Sequence, residues 1–301
     1  MLPGKTPHGK DEAMPIRKLL VPLTGTAAGE AAIATALCLA RKFNAHIYAI
    51  HVRADSRDVA PLAGEGLSGA MIQEMMQATD RESNERSSAI RTMFDNAIEA
   101  AGIHIEKPAA LHDHPTATFA VITGREEDVV AHQARLADYT IVPHPESGDD
   151  VSSSDALHAV LFDSGRAVMI APHHAPQTLG RRVAVAWNGS GESAAAVQAA
   201  MPLLHRADAV RILMSDEYQR NGPPARELAA YLAMHGVQAE IATFRSIDRE
   251  VGAGMLAAAR DFGADLMTMG AYSHSRLRQL ILGGVTRHVL EHADLPVLMN
   301  R

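Results

Sequence analysis

The chain has 301 residues, room for two ordinary domains, with 47% hydrophobic and 21% charged residues, a soluble globular balance. A formal net charge of -7 and only 4% aromatic residues argue against a broad nucleic-acid surface, and no apolar run reaches membrane-spanning length. The single cysteine, Cys38, leaves no internal disulfide, so a reducing compartment, the cytoplasm, is the expected location.

In chain order, residues 1–14 have no apolar core of signal-peptide type and read as a flexible tail. IRKLLVPLTGT (16–26) is an apolar run ending in a polar turn that contains glycine. An alanine-rich helical pattern, AAIATALCLARKF, follows, in which Cys38 reads as a packed apolar side chain. Then come a second strand, AHIYAIHV (45–52), a long helix over 67–102, and a third strand, FAVITG (119–124). ARLADYTIVPHP (134–145) and HAVLFDSGRAVMIAP (158–172) complete the half.

The pattern then repeats. RRVAVAWNGS (181–190) matches the first run, SAAAVQAAMPLLH its helix, and AVRILM (209–214) its second strand. FGADLMTMGAY (262–272) and RHVLEHADLPVLMN (287–300) match the two closing stretches. The second half predicts strands near 182–187, 209–214, 238–244, 265–270 and 295–299, and helices near 191–205, 224–236, 249–262 and 284–292. APHHAPQTLGRR (171–182) has linker composition, which divides the chain into domains 15–176 and 177–301. Continuous apolar strands alternating with helices predict an α/β fold: two tandem open, doubly wound parallel sheets. Ligands in such sheets bind at the carboxyl ends of the strands, at the switch point.

MGAYSHSRLRQLILGGVT (269–286) falls at such an end. Gly270 ends a strand, and Gly283 and Gly284 open a helix. A helix start offers N–H groups and a positive dipole end, and glycines admit a close backbone approach. Thr286 adds a hydroxyl, and Arg276, Arg278 and Arg287 are nearby cations. The reading is an anion site suited to a phosphate chain; plain turn and helix-entry glycines are the other reading.

The tandem halves, the polar turn after each first strand and this glycine spacing resemble the universal stress protein family, whose nucleotide-binding members carry G-x2-G-x9-G-[ST]. Gly270, Ser273, Gly283 and Gly284 hold that spacing, with Ser273 in place of a glycine and Gly284 in place of Ser/Thr. The resemblance implies a Rossmann-like fold and a pseudo-dimer within one chain, its last strands, RAVMIAP and LPVLMN, paired or packed together. It implies a stress-response regulator or sensor that binds ATP, or AMP or ADP, in its C-terminal half, with magnesium as companion ion. Met269, Gly270, Ser273, Gly283, Gly284, Val285 and Thr286 would form the phosphate side. Trp187, Asn188, Gly189, Met214 and Ser215 would line the nucleoside side. Asn188 stands where an acidic residue is common and is a poorer magnesium ligand. The first half has Pro143 at the place of Gly270, and Ser154-Asp155 at the place of Gly283-Gly284, with Glu146, Asp149 and Asp150 in the same loop, so its nucleotide site reads as lost.

No catalytic residues and no metal site are expected. A nucleotide-free interaction module and a weak ATPase are the alternatives, and the assembly is a monomer with an internal pseudo-dimer or a homodimer. Partners beyond the nucleotide are unassigned proteins, not nucleic acid or membrane. PGKT (3–6) lacks the preceding strand of a phosphate loop, and GEGLSG (64–69) lies too far from its strand to be a dinucleotide fingerprint. The histidines of LHDHP (111–115), PHP (143–145) and APHHA (171–175) read as surface loop residues, and Met71 and Met75 as helix packing.

Overall fold

Alternating apolar runs and helices assemble here into a single sheet. The computed structural model describes residues 15–25, 27–53, 69–107, 113–144, 155–271 and 284–301. The first half contributes β1 (Lys18–Pro22), β2 (His46–Arg53), β3 (His104–Ile105), β4 (Thr116–Thr123), β5 (Tyr139–Val142) and β6 (Ala167–Ile170). The second contributes β7 (Arg182–Ala186), β8 (Ala209–Met214), β9 (Ala239–Thr243), β10 (Leu266–Gly270) and β11 (Val297–Asn300). Between them lie α1 (Ala27–Phe43), α2 (Gly69–Ala100), α3 (Glu126–Ala134) and α4 (Asp155–Ala159), which continues as a π-helical turn over Val160–Ser164. The second half carries α5 (Gly191–Leu204), α6 (Ala225–Met234), α7 (Val251–Phe262) and α8 (Gly284–His292).

The sheet order is β3-β4-β2-β1-β5-β6-β11-β10-β7-β8-β9. Each half therefore runs third-second-first-fourth-fifth, the doubly wound order. The first half adds β3 as a two-residue edge strand, and its third strand begins at Thr116, three residues ahead of the expected run. Strand pairs are parallel within each half. The halves join through β6 and β11, which pair antiparallel with Val297 opposite Ile170, Leu298 opposite Met169 and Met299 opposite Val168. The two closing strands thus meet as expected, and each covers an edge that would otherwise invite another chain.

The repeat extends to single hydrogen bonds. The Asp138 carboxylate accepts from the Arg17 and Lys18 backbone N–H groups at 2.6 and 2.9 Å. Asp265 accepts from those of Arg181 and Arg182, each at 2.9 Å. Leu23 N–H donates to Ile50 carbonyl and Trp187 N–H to Leu213 carbonyl, so Leu23 and Trp187 are equivalent positions. The turn glycine two residues on has φ +86° at Gly25 and +80° at Gly189, the region where a Cβ is disfavoured.

Side chains alternate across the sheet and feed two apolar layers. Leu19, Val21, Val183 and Val185 pack on the face covered by α1, α2, α5 and α6. Leu20, Ala184 and Ala186 pack on the face covered by α3, α4, α7 and α8. Each layer runs through both halves. Polar ties reinforce the junction: the Tyr139 hydroxyl donates to Ala199 carbonyl at 2.5 Å, and the Lys42 ammonium to Gly180 carbonyl at 2.6 Å. Burial holds the Tyr139 hydroxyl far above its ordinary value, keeping it a neutral donor. Cys38 packs beside Pro176, and burial pushes its thiol up, as a structural cysteine requires.

Candidate functional site

The switch point of the second half lies between β7 and β10. α5 leaves β7 onto one face, where Val197, Ala200 and Leu203 pack. α8 leads from β10 to β11 over the other face, where Val289 and Leu290 pack. Ala186 is level with Leu213 on β8 and with Met269 on β10, so Met214, Trp187 and Gly270 stand side by side at the carboxyl ends. The crevice that opens there is the place where the topology leaves strand ends uncovered by a crossover.

The turn after β7 is built locally. Asn188 Oδ1 accepts from Ser190 N–H at 3.0 Å, an Asx turn, and Ser190 caps α5 by accepting from Ser193 N–H at 3.2 Å. The loop 215–223 then closes over this turn. Arg220 N–H donates to Asn188 carbonyl at 2.7 Å, and the Trp187 indole N–H donates to Pro223 carbonyl at 2.9 Å. Gly222 lies so close to Gly189 that a Cβ on it would run into the Gly189 carbonyl. Tyr218 anchors the loop in the core, and burial pushes its hydroxyl up to about 12.

On the β10 side, a Cβ on Gly270 would lie 2.5 Å from Ser193 N and 2.7 Å from Glu192 C. This glycine lets the first turn of α5 rest directly on the strand end. Gly284 differs: it is exposed at the start of α8, and among the described residues a Cβ there would have no neighbour within 4 Å. α8 docks on α7 through His288, whose ring lies against Gly252 and stacks on His292 at 4.3 Å. Burial pushes His288 below its ordinary value, and His292 adds to this, while Glu250 and Glu291 oppose it. A lowered folded-state value means that its contribution is complete above the ordinary histidine range and is lost as pH falls through the folded value. The melting temperature should therefore fall on acidification below about pH 6.5, with a shallower slope in His288→Gln; an unchanged slope in that variant would remove the assignment.

The family model of the universal stress proteins matches residues 180–301. Over those residues the chain is similar to the universal stress protein family. A universal stress protein from Archaeoglobus fulgidus DSM 4304 superposes with a TM-score of 0.68 at 16% identity, covering 94% of this chain and 98% of its own. A functionally unknown protein from Pseudomonas aeruginosa PAO1 superposes with a TM-score of 0.53 at 13% identity, covering 95% and 92%. At these identities the likeness is one of fold, and it spans both halves. No curated protein matches the chain in sequence.

Within this universal stress protein frame, the anticipated site residues divide by accessibility. Trp187, Asn188, Ser215, Met269 and Thr286 are buried. Gly189, Met214, Gly270 and Val285 are half-buried, and Gly284 is exposed. Ser273 and Gly283 lie outside the described residues, as do Arg276 and Arg278. Arg287 is exposed and pairs with Glu291 at 2.7 Å. Asn188 is buried, and its amide oxygen already accepts one hydrogen bond from Ser190 N–H. Of the glycines at this end, Gly189 is packed against Gly222 and Gly270 against the first turn of α5, while Gly284 is exposed. Sequence reading missed the 215–223 loop, although NGPP (221–224) is a turn signature that marks it.

The first half is closed differently at the equivalent place. A Cβ on Gly25 would meet Ile90 of α2 at 2.9 Å, and His51 binds Leu23 carbonyl at 2.9 Å. Asp155 begins α4, and Glu146, Asp149, Asp150 and Ser154 lie outside the described residues. Of the histidines expected on surface loops, His114, His173 and His174 are exposed and His144 is buried. His144 is 3% exposed, with its ring 3.8 Å from that of His173, because the end of β5 is covered by the chain leaving β6. His114 binds Asp113 and Glu106 at 2.8 and 3.1 Å, and both hydrogen bonds raise its pKa. Among the described residues no group of three or more His, Cys, Asp or Glu is placed to hold a metal, and no helix is long and apolar enough to cross a membrane.

Proposed function

We propose that the C-terminal half binds an adenine nucleotide, ATP or its relatives AMP and ADP, at the carboxyl ends of β7, β8 and β10. The protein then acts as a nucleotide-responsive regulator in a cytoplasmic stress response rather than as an enzyme. The observation that supports this reading is the switch point, where β10 ends in Gly270 and the next helix starts at Gly284, in a half whose sequence matches the universal stress protein model. The phosphate chain would lie along Gly270, Ser273, Gly283 and Gly284. The nucleoside would lie over Gly189 and Met214, the accessible members of its side. Magnesium, if bound, would be held chiefly by the phosphates, since Asn188 is a weak ligand for it. Domains 15–176 and 177–301 fit the repeat of strand order and of the Asp138 and Asp265 hydrogen bonds. The β6–β11 pairing favours a monomer with an internal pseudo-dimer over a homodimer.

One observation favours the nucleotide-free interaction module instead. Gly189 and Gly270 both have packing reasons to lack a Cβ, against Gly222 and against α5, and neither reason needs a ligand. Among the described residues Gly284 has no such reason, and it is the discriminating position. The protein should be purified without added nucleotide, denatured, and its supernatant separated by anion exchange; ATP with magnesium should be titrated in parallel by calorimetry. Co-purified nucleotide, or micromolar saturation that Gly284→Asp abolishes while circular dichroism stays native, is the expected result. An empty supernatant with no saturation up to millimolar ATP would establish the interaction module.

A further inference from the structure

A second concavity adjoins that end of the sheet through Trp187. α5 and α6 frame a cavity of ≈ 360 Å³ on the face opposite α7 and α8, within the range of small-molecule sites. Its buried wall is Trp187, Val197 and Leu228, while Gln198 and Glu227 are exposed at its margin and Tyr231 is half-buried there. The indole N–H is already committed to Pro223 carbonyl, so Trp187 presents its apolar ring and not its polar edge. The Tyr231 hydroxyl is likewise engaged, donating to Gln198 Oε1 at 3.3 Å. Glu227 is the one charged group of the lining, and among the described residues it makes no ion pair.

The internal repeat shows what this framework accepts. In the first half Leu23 stands at the position of Trp187, and the 32-residue α2 lays Ile90 and Met93 against the glycines of the turn and of α1. Phe94, 0% exposed, completes that packing. There the space between the paired helices receives apolar and aromatic groups from the chain itself. α6 has only 10 residues, and the corresponding space is the cavity.

We propose that the α5–α6 cavity binds small aromatic amines, with the ring against Trp187 and Leu228 and the ammonium group at Glu227. An aromatic ring matches the wall that α2 supplies in the first half. A cation matches the lone carboxylate, and the Trp187 and Tyr231 rings add attraction through their π faces. The cavity lies on the other face of the sheet from Met269 and α8, and it shares Trp187 with the proposed nucleoside side.

Trp187, the sole tryptophan, is a built-in reporter. Phenethylamine and 3-phenylpropionate should be titrated into the full-length protein with excitation at the red edge of tryptophan absorption. Phenethylamine should give a saturable change with a Kd of about 1 mM or tighter, as a ligand of this size allows. The acid should bind more weakly. Glu227→Gln should weaken the amine about threefold or more and narrow its advantage over the acid. Ala194→Phe, at an exposed position of the lining, should abolish saturation while circular dichroism stays native. Equal affinity for amine and acid, or amine binding untouched by both variants, would overturn the proposal.

Discussion

Gly270→Ala should destabilise the protein by about 3 kcal/mol, the upper end of overpacking costs, and lower its melting temperature by about 6 °C or more. The added methyl group would lie 2.5 Å from Ser193 N and 2.7 Å from Glu192 C, and both are backbone atoms. A backbone neighbour cannot rotate out of the way as a side-chain end can. Relief requires α5 to lift from β10, and α5 is held there by Asn300, which donates to Ala195 carbonyl at 3.2 Å, and by Thr268, which donates to Ala196 carbonyl at 3.3 Å. Gly284→Ala is the control. Among the described residues nothing lies within 4 Å of its Cβ position, and alanine is the better helix former, so melting should stay level or rise. Equal melting of Gly270→Ala and wild type would mean that the close approach of α5 to β10 is wrong. The same geometry makes Gly270 a poor position for testing ligand binding, because loss of a ligand there could not be separated from loss of packing.

Met169→Asp should cost about 4 kcal/mol or more, because it places an unpaired carboxylate in an apolar layer. Met169 is 0% exposed and lies opposite Leu298, itself 0% exposed, in the one antiparallel pairing among the described strands. The apolar layer around both residues runs from α1 and α2 to α5 and α6. The halves should therefore unfold as one unit in the wild type, with Trp187 fluorescence and far-ultraviolet circular dichroism giving coincident urea transitions. Met169→Asp weakens the seam, and its two transitions should separate, since Trp187 reports only the second half. Separate transitions in the wild type would show that β6 and β11 do not couple the halves.

The elements of the second half were legible because its strands are short continuous apolar runs and its helices open with plain signals. The expected helix at 284–292 matches α8, and the strands near 209–214 and 265–270 match β8 and β10 to within a residue. The two-residue β3 was not legible, since a strand that short has no period to read. Ser273 and Gly283, the middle of the glycine frame, lie outside the described residues, so their part in the site rests on sequence spacing. Gly270 shows the limit of motif reading more sharply. Its spacing points to a phosphate, and its position also answers a packing demand that involves Ser193, 77 residues away in sequence (270 − 193 = 77).

The sequence by itself determined the repeat and the α/β class, because each follows from local period and from order along the chain. Tertiary structure alone decided that the two sheets fuse edge to edge, since antiparallel pairing of β6 with β11 depends on how two distant edges meet. It also decided that the 215–223 loop closes over the β7 turn, and that Trp187 walls a cavity in the second half where Leu23 is covered by α2 in the first. The length of one helix relative to another sets that difference; both lengths were legible in the sequence, but what each helix covers was not.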